Sequence, residues 1–192
     1  LLWLLFALNL MGYFFLLSWT PTLMAVLKLP PSVGALAGAM IQVGGTVGAL
    51  VLARWFERRR FFAIAIVLVI AVPVVASIGF AGTTSTTALA IATFFAGFCV
   101  LGIQTGINVA GALVYPTSLR ANGSGWELGI GRIGSIIGPL VGALFVGLPV
   151  EKLYMWSSLP FALGAVVCFA IWKLNEARLQ AHPELKAAQA PA

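Results

Sequence analysis

The sequence predicts an all-α transmembrane bundle of six helices, and three observations carry that prediction. Of 192 residues, 61% are hydrophobic and only 8% are charged, whereas a soluble domain carries about a quarter charged residues. Mean hydropathy is +1.05. The charge-free runs match one transmembrane crossing of about 20 residues, or a multiple of it. None alternates with the period of two that a membrane barrel strand requires. An open sheet leaves backbone groups unpaired in lipid, so helices remain.

The elements follow in order along the chain. The first helix covers about 2–25, and the chain opens on Leu1 already inside its apolar run. There is no initiator Met, basic n-region or cleavage site of a signal peptide. The chain therefore reads as beginning inside a larger protein, or as a truncated product of one. Pro30-Pro31 break the run before a second helix at about 33–53. Phe61 to Leu119 holds no charge and has room for two helices, with the polar turn Gly82-Thr83-Thr84-Ser85-Thr86-Thr87 between them. This places a third helix at about 61–80 and a fourth at about 88–115, closed by Pro116. The fifth and sixth helices fall at about 122–147 and about 152–174. Residues 1–174 thus form one membrane bundle, and 175–192 read as a solvated, disordered cytoplasmic extension.

Charge placement predicts orientation. Arg54, Arg58, Arg59, Arg60, Arg120, Lys173, Arg178 and Lys186 fall on one side of this topology, against Lys28 and Lys152 on the other. The positive-inside rule makes the first side cytoplasmic, together with both ends of the chain. Trp3, Trp19, Trp55, Trp126, Trp156 and Trp172 lie near helix ends, as interfacial anchors do. Topology accounts for the net charge of +6, and no basic face interleaved with aromatics points to nucleic acid. Cys99 and Cys168 lie in apolar runs without metal-ligand spacing and read as buried thiols. No cofactor or metal is expected.

The chemistry should lie in the few polar groups at membrane depth. Arg132 stands ten residues into the predicted fifth helix, about 15 Å along its axis. It is held either by a structural partner or by an anionic substrate across a water-filled cavity, for which its planar fork of donors is suited. Glu127 is about 140° around the same helix from Arg132, so the two do not form a simple pair. It reads first as an interfacial residue facing the cytoplasm, with proton titration as the other reading. Gln104 and Asn108 share one face of the fourth helix, either gluing helices together or lining a path. Asn9, Tyr13 and Gln42 are weaker members of the same class, and Tyr13 reads first as packing.

Small-xxx-small spacing recurs at Gly34/Gly38, Gly44/Gly48, Gly102/Gly106, Gly125/Gly129 and Gly134/Gly138/Gly142. It lets helices approach closely, or rock past one another. Gly-Thr-Val-Gly-Ala at 45–49 and Gly-Pro-Leu-Val-Gly-Ala at 138–143 fall in the second helices of two successive triplets. That arrangement fits a 3+3 inverted repeat.

A family resemblance enters on three segments. They are Gly102-Ile-Gln-Thr-Gly-Ile-Asn108, Tyr115-Pro-Thr-Ser-Leu-Arg-Ala-Asn-Gly-Ser-Gly-Trp126 and Gly129-Ile-Gly-Arg-Ile-Gly-Ser-Ile-Ile-Gly-Pro139. They resemble helices 10 and 11 of the major facilitator superfamily, and more narrowly its aromatic acid:H⁺ symporter branch. Trp19-Thr-Pro-Thr-Leu23 and Gly44-Gly-Thr-Val-Gly48 fit helices 7 and 8 of that branch.

The resemblance implies the C-terminal six-helix half of a twelve-helix inner-membrane carrier. An N-terminal half, absent from this chain, would be its partner, and a small aromatic carboxylate and a proton its cargo. Arg132 matches the family's Gly-x-Gly-Arg arginine, implicated in handling the carboxylate. Arg120 matches the arginine of Tyr-Pro-x-x-x-Arg, a gating position. Two positions depart from the pattern. Glu127 stands where the family usually has an uncharged residue, and the Trp55–Arg60 loop is short, although Glu57-Arg58 keep its first acidic–basic pair. These four, Arg120, Glu57, Arg58 and Glu127, form the expected gating set. Arg132, Gln104, Asn108, Asn9 and Tyr13 form the expected substrate set.

Other readings are a carrier for another organic anion, an exporter, or a half-carrier that does not transport. An integral-membrane enzyme would need clustered His, Asp or Cys. The chain has no Asp, and its single His lies at 182.

Overall fold

A computed structural model describes residues 1–115, 118–145 and 147–181, with side chains throughout except at 57–60, 113, 179 and 181. The chain forms α1 (Leu2–Val26), α2 (Pro31–Thr84), α3 (Thr86–Val114), α4 (Arg120–Leu144), α5 (Val150–Ser157) and α6 (Leu159–Ala181). Among the described residues there is no strand. Six stretches are long and apolar enough to cross a membrane. They are Leu2–Val26, Pro31–Phe56, Phe61–Thr84, Thr86–Ala112, Arg120–Leu144 and Val150–Arg178, called spans 1 to 6 below.

The 54 residues of α2 would reach about 80 Å if straight, far more than a bilayer is thick. Its two ends nevertheless meet, since Gly34 and Gly82 both lie against Met24 of span 1. Phe56 and Ile64 likewise both flank Gly106. The chain therefore doubles back between Phe56 and Phe61, at the cluster of arginines.

Several ends shift from the sequence expectation for local reasons. Pro31 opens span 2 because a first-turn proline sacrifices no helical hydrogen bond. Thr83 and Thr84 stay helical, their hydroxyls donating back to the Phe80 carbonyl. The expected six-residue polar turn shrinks to extended Ser85, whose side chain accepts the Ala88 N–H at 3.1 Å as a cap. Span 6 is interrupted at Ser158, two residues before Pro160. Residues 175–181, expected in the extension, are the last turns of α6. The remainder of that extension, with His182 and Lys186, lies outside the described residues, as does Pro116.

Glycine sets the packing register. Gly134 and Gly138 press on the backbone of Ala7 and Met11, and Gly142 on Trp19, so spans 5 and 1 run parallel. Gly44 and Gly48 meet the backbone of Phe94 and Phe98, and Gly102 and Gly106 meet Leu52 and Phe56. Spans 2 and 4 are therefore a second parallel pair. Spans 3 and 6 are antiparallel. Cys168 Sγ donates to the Phe61 carbonyl at 3.2 Å, Gly164 sits on Leu68 and Gly79 on Glu151. The core between these pairs is filled by Leu5, Leu16, Ile41, Ile64, Leu68, Ile78, Ile103 and Phe161, all fully buried.

Candidate functional site

Span 1 carries no charged side chain, and two of its polar residues, Asn9 and Tyr13, sit where spans 1, 2 and 4 meet. Asn9 is buried, and its Nδ2 donates to Gln104 Oε1 at 2.8 Å and to the Val100 carbonyl at 3.3 Å. Gln104 Nε2 in turn lies 3.5 Å from Asn108 Oδ1. A chain of amides thus begins deep in the bundle at Asn9 and ends at exposed Asn108. One turn along span 1, the Tyr13 hydroxyl donates to Gln42 Oε1 at 3.2 Å, tying span 1 to span 2. Tyr13 is therefore more than packing. The amide pair of span 4 does glue helices, through Asn9, and it also presents a polar surface.

Asn9 Oδ1 is buried without a hydrogen-bond partner among the described residues. A buried, unpaired acceptor costs about 1–3 kcal/mol. Buried polar atoms without partners call for an explanation.

Arg132 stands apart from this amide chain. It is exposed, and Ser135 Oγ donates to its carbonyl at 2.7 Å. Its neighbours Gly131 and Gly134 fall against Phe6, Leu10 and Ala7, so Arg132 is within about a helical turn of the depth of Asn9. Within its own span, Arg120–Leu144, Arg132 stands at the midpoint of the helix. At 3.6 residues per turn, Arg132 shares one side of span 5 with Gly125, Leu128, Ser135 and Pro139. Exposed Ile136 lies only about 40° from Arg132, and exposed Trp126, Ile133, Leu140 and Leu144 lie about 80–120° from it. Arg132 therefore lies on the exposed side of the helix between Leu128 and Ile136, away from the buried face of Gly131, Gly134 and Gly138 that packs on span 1.

Glu127, expected as an interfacial residue or a proton-titrating group, is only 3% exposed. Its carboxyl lies over Gly111 of span 4, where a side chain would collide with it. At this end Trp3 Nε1 donates to the Tyr115 hydroxyl at 2.7 Å and Trp3 stacks on Trp126 at 6.1 Å. Partial burial lifts the Tyr115 phenol above its usual range, and the Trp3 bond opposes this. Of the other expected gating residues, Arg120 is exposed at the first position of α4. Glu57 and Arg58 fall where side chains are outside the described residues.

Sequence reasoning did not single out the Trp3–Tyr115–Trp126 cluster. Its signal was present in the placement of all three aromatics at predicted helix ends on one side of the bundle. Among the described residues no three His, Cys, Asp or Glu side chains group as metal ligands.

A charge-poor helical bundle with polar amides inside and an exposed arginine, Arg132, within span 5 defines the class as a polytopic membrane carrier domain. Comparison with known proteins makes this specific: residues 2–191 match the family model of the Major Facilitator Superfamily, and the chain belongs to that family of carriers. It is 35% identical over 189 residues to a gallate transporter of Pseudomonas putida, covering 97% of this chain and 41% of that protein. It is 34% identical over 148 residues to a 4-hydroxybenzoate transporter of Pseudomonas aeruginosa, covering 77% of this chain and 33% of that one. A 3-(3-hydroxy-phenyl)propionate transporter of Escherichia coli is 29% identical over 182 residues, covering 94% and 45%. The chain thus spans less than half the length of these relatives.

Proposed function

We propose that this chain is the C-terminal half of a secondary carrier that imports small aromatic carboxylates by proton symport across the inner membrane. The observation that carries the reading is the coincidence of relatives named for aromatic acids with a surface built to hold one. Arg132 supplies the charge partner for a carboxylate. Asn9, Gln104, Asn108 and Tyr13 supply donors and acceptors for ring substituents at a similar depth. Substrate then binds between this half and an N-terminal one, and rocking of the two gives alternating access.

The packing pairs support the 3+3 inverted repeat within the half. Exchanging span 1 with 4, 2 with 5 and 3 with 6 converts the parallel pair 1/5 into the parallel pair 4/2. The same exchange returns the antiparallel pair 3/6 to itself. A second half has a surface to occupy: a side chain at Gly38, Gly125 or Gly129 would meet nothing within 4 Å in this chain, although the spacing is that of a packing motif.

Positive-inside counting places the arginine-rich end in the cytoplasm, with Arg54, Arg120, Lys173 and Arg178 there and Lys28 and Lys152 opposite. Arg120, Glu57 and Arg58 act at that end as gating charges, and both ends of this chain lie there, including the tail beyond 181.

The test replaces Arg132 with Ala and with Lys in the complete carrier and follows uptake of labelled 4-hydroxybenzoate and gallate. Both variants should reach the membrane in normal amount and lose uptake, because Lys cannot form the bidentate fork. Unimpaired uptake in the Ala variant would remove Arg132 from the substrate site.

A further inference from the structure

Glu127 has no role in holding the substrate as proposed, yet it is among the most buried polar groups of the chain, 3% exposed. Its Oε1 has no hydrogen-bond partner among the described residues. The two elements packed against it bring no charge: spans 1 and 4 contain no Lys, Arg, Asp, Glu or His. What faces it is the backbone of Gly111 on span 4 and, just beyond that span, the Tyr115 phenol. On its own helix Arg120 and Arg132 are both exposed. Elsewhere at this end, exposed Arg178 lines a separate crevice with Leu1, Leu2 and Asn175. A carboxylate buried without a counter-charge is costly, whereas the protonated acid is a neutral group of ordinary size.

We propose that Glu127 is a proton-binding site within this half, carrying its proton while spans 1, 4 and 5 are closed over it and releasing it when span 4 parts from span 5. Gly111 gives the reason for a contact that opens and closes. With no side chain there, span 4 seats directly on the carboxyl, so a negative charge would sit against backbone atoms with no water between. Release leaves the carboxylate free to hydrate as the two helices separate, and rebinding lets the contact re-form. The proposal deepens the symport reading and rests on it only for the direction in which the proton moves.

The experiment needs no substrate, so its failure is distinct from failure of the transport reading. In the complete carrier, Ala110→Cys places a thiol at a buried position beside Gly111, out of reach while the helices are closed. Labelling by a membrane-impermeant maleimide is followed in inside-out vesicles between about pH 5 and about pH 9, the range spanned by buried carboxyls. It is normalised to Ala177→Cys, exposed on α6, to cancel the chemistry of the thiol itself. Normalised labelling should rise with pH by up to about tenfold per unit, the limit for one proton. Added Glu127→Gln, which keeps the shape of the neutral acid, should hold it low and flat. Glu127→Met serves as a second proton-free variant and should do the same. A flat profile with Glu127 intact, as a permanently ion-paired carboxylate would give, overturns the proposal. So does an unchanged rise in the Gln and Met variants.

Discussion

The same substitution should have opposite effects at two glycines of one helix. At Gly134 a Cβ would fall 2.8 Å from the Ala7 carbonyl carbon and 3.0 Å from its Cα, both backbone atoms that no rotamer change relieves. Overpacking of this kind costs about 1–3 kcal/mol, offset by the gain of up to about 1 kcal/mol when Ala replaces a helical Gly. The net loss for Gly134→Ala is up to about 2 kcal/mol, or a fall in Tm of up to about 8 °C for a chain of this size. At Gly125 an added Cβ meets nothing within 4 Å, leaving only the propensity gain and a rise in Tm of about 2–4 °C. The assay is thermal unfolding of the detergent-purified chain with a thiol-reactive dye, which reports exposure of buried Cys99 and Cys168. In the complete carrier, Gly125→Ala should also depress uptake, because the second half packs there. Shifts of the same sign at both glycines in the isolated chain would refute the packing register from which the figures are built.

Three further outcomes follow from the hydrogen bonds and thiols. Tyr154→Phe removes a fully buried hydroxyl that donates to Thr20 Oγ1 at 3.1 Å. Melting should show a loss of about 0.5–1.5 kcal/mol, with uptake unchanged because the pair is remote from the amide chain. Asn9→Leu deletes two interhelical bonds of about 0.6 kcal/mol each together with an orphaned acceptor costing about 1–3 kcal/mol. Stability should therefore be held or slightly raised, while labelled 4-hydroxybenzoate uptake falls by about tenfold, the loss of one ordinary contact. Cys99 and Cys168, both buried, should resist maleimide in the folded carrier and react on denaturation, as mass spectrometry would record.

Much of the fold is legible because lipid imposes it. Each crossing needs its own apolar run, and a run such as Phe61–Leu119 betrays two helices by its length alone. Local chemistry fixed the finer ends less visibly, since only the bonds from Thr83 and Thr84 to Phe80 show why the polar turn contracts to Ser85. Spacing could not tell Gly125/Gly129 from Gly134/Gly138, because both pairs follow one rule and only tertiary register reveals which has a neighbour. The site divided in the same way. Gln104 and Asn108 were evident as a shared helical face, but their link to Asn9 depends on the antiparallel approach of spans 1 and 4. Glu127 looked interfacial from its distance along the helix. Its burial arises from Gly111, which is on a different helix, and no periodicity within span 5 reports that.

The central claim is that this half belongs to a carrier driven by protons to accumulate aromatic carboxylates. The most direct measurement reconstitutes the complete carrier in proteoliposomes, imposes an inward proton gradient and records labelled 4-hydroxybenzoate, gallate and benzoate inside. The account predicts accumulation above the external concentration for at least one of them, collapsing when an ionophore dissipates the gradient. Correctly inserted carrier that accumulates none of the three, or accumulates them equally well with the ionophore present, would contradict it.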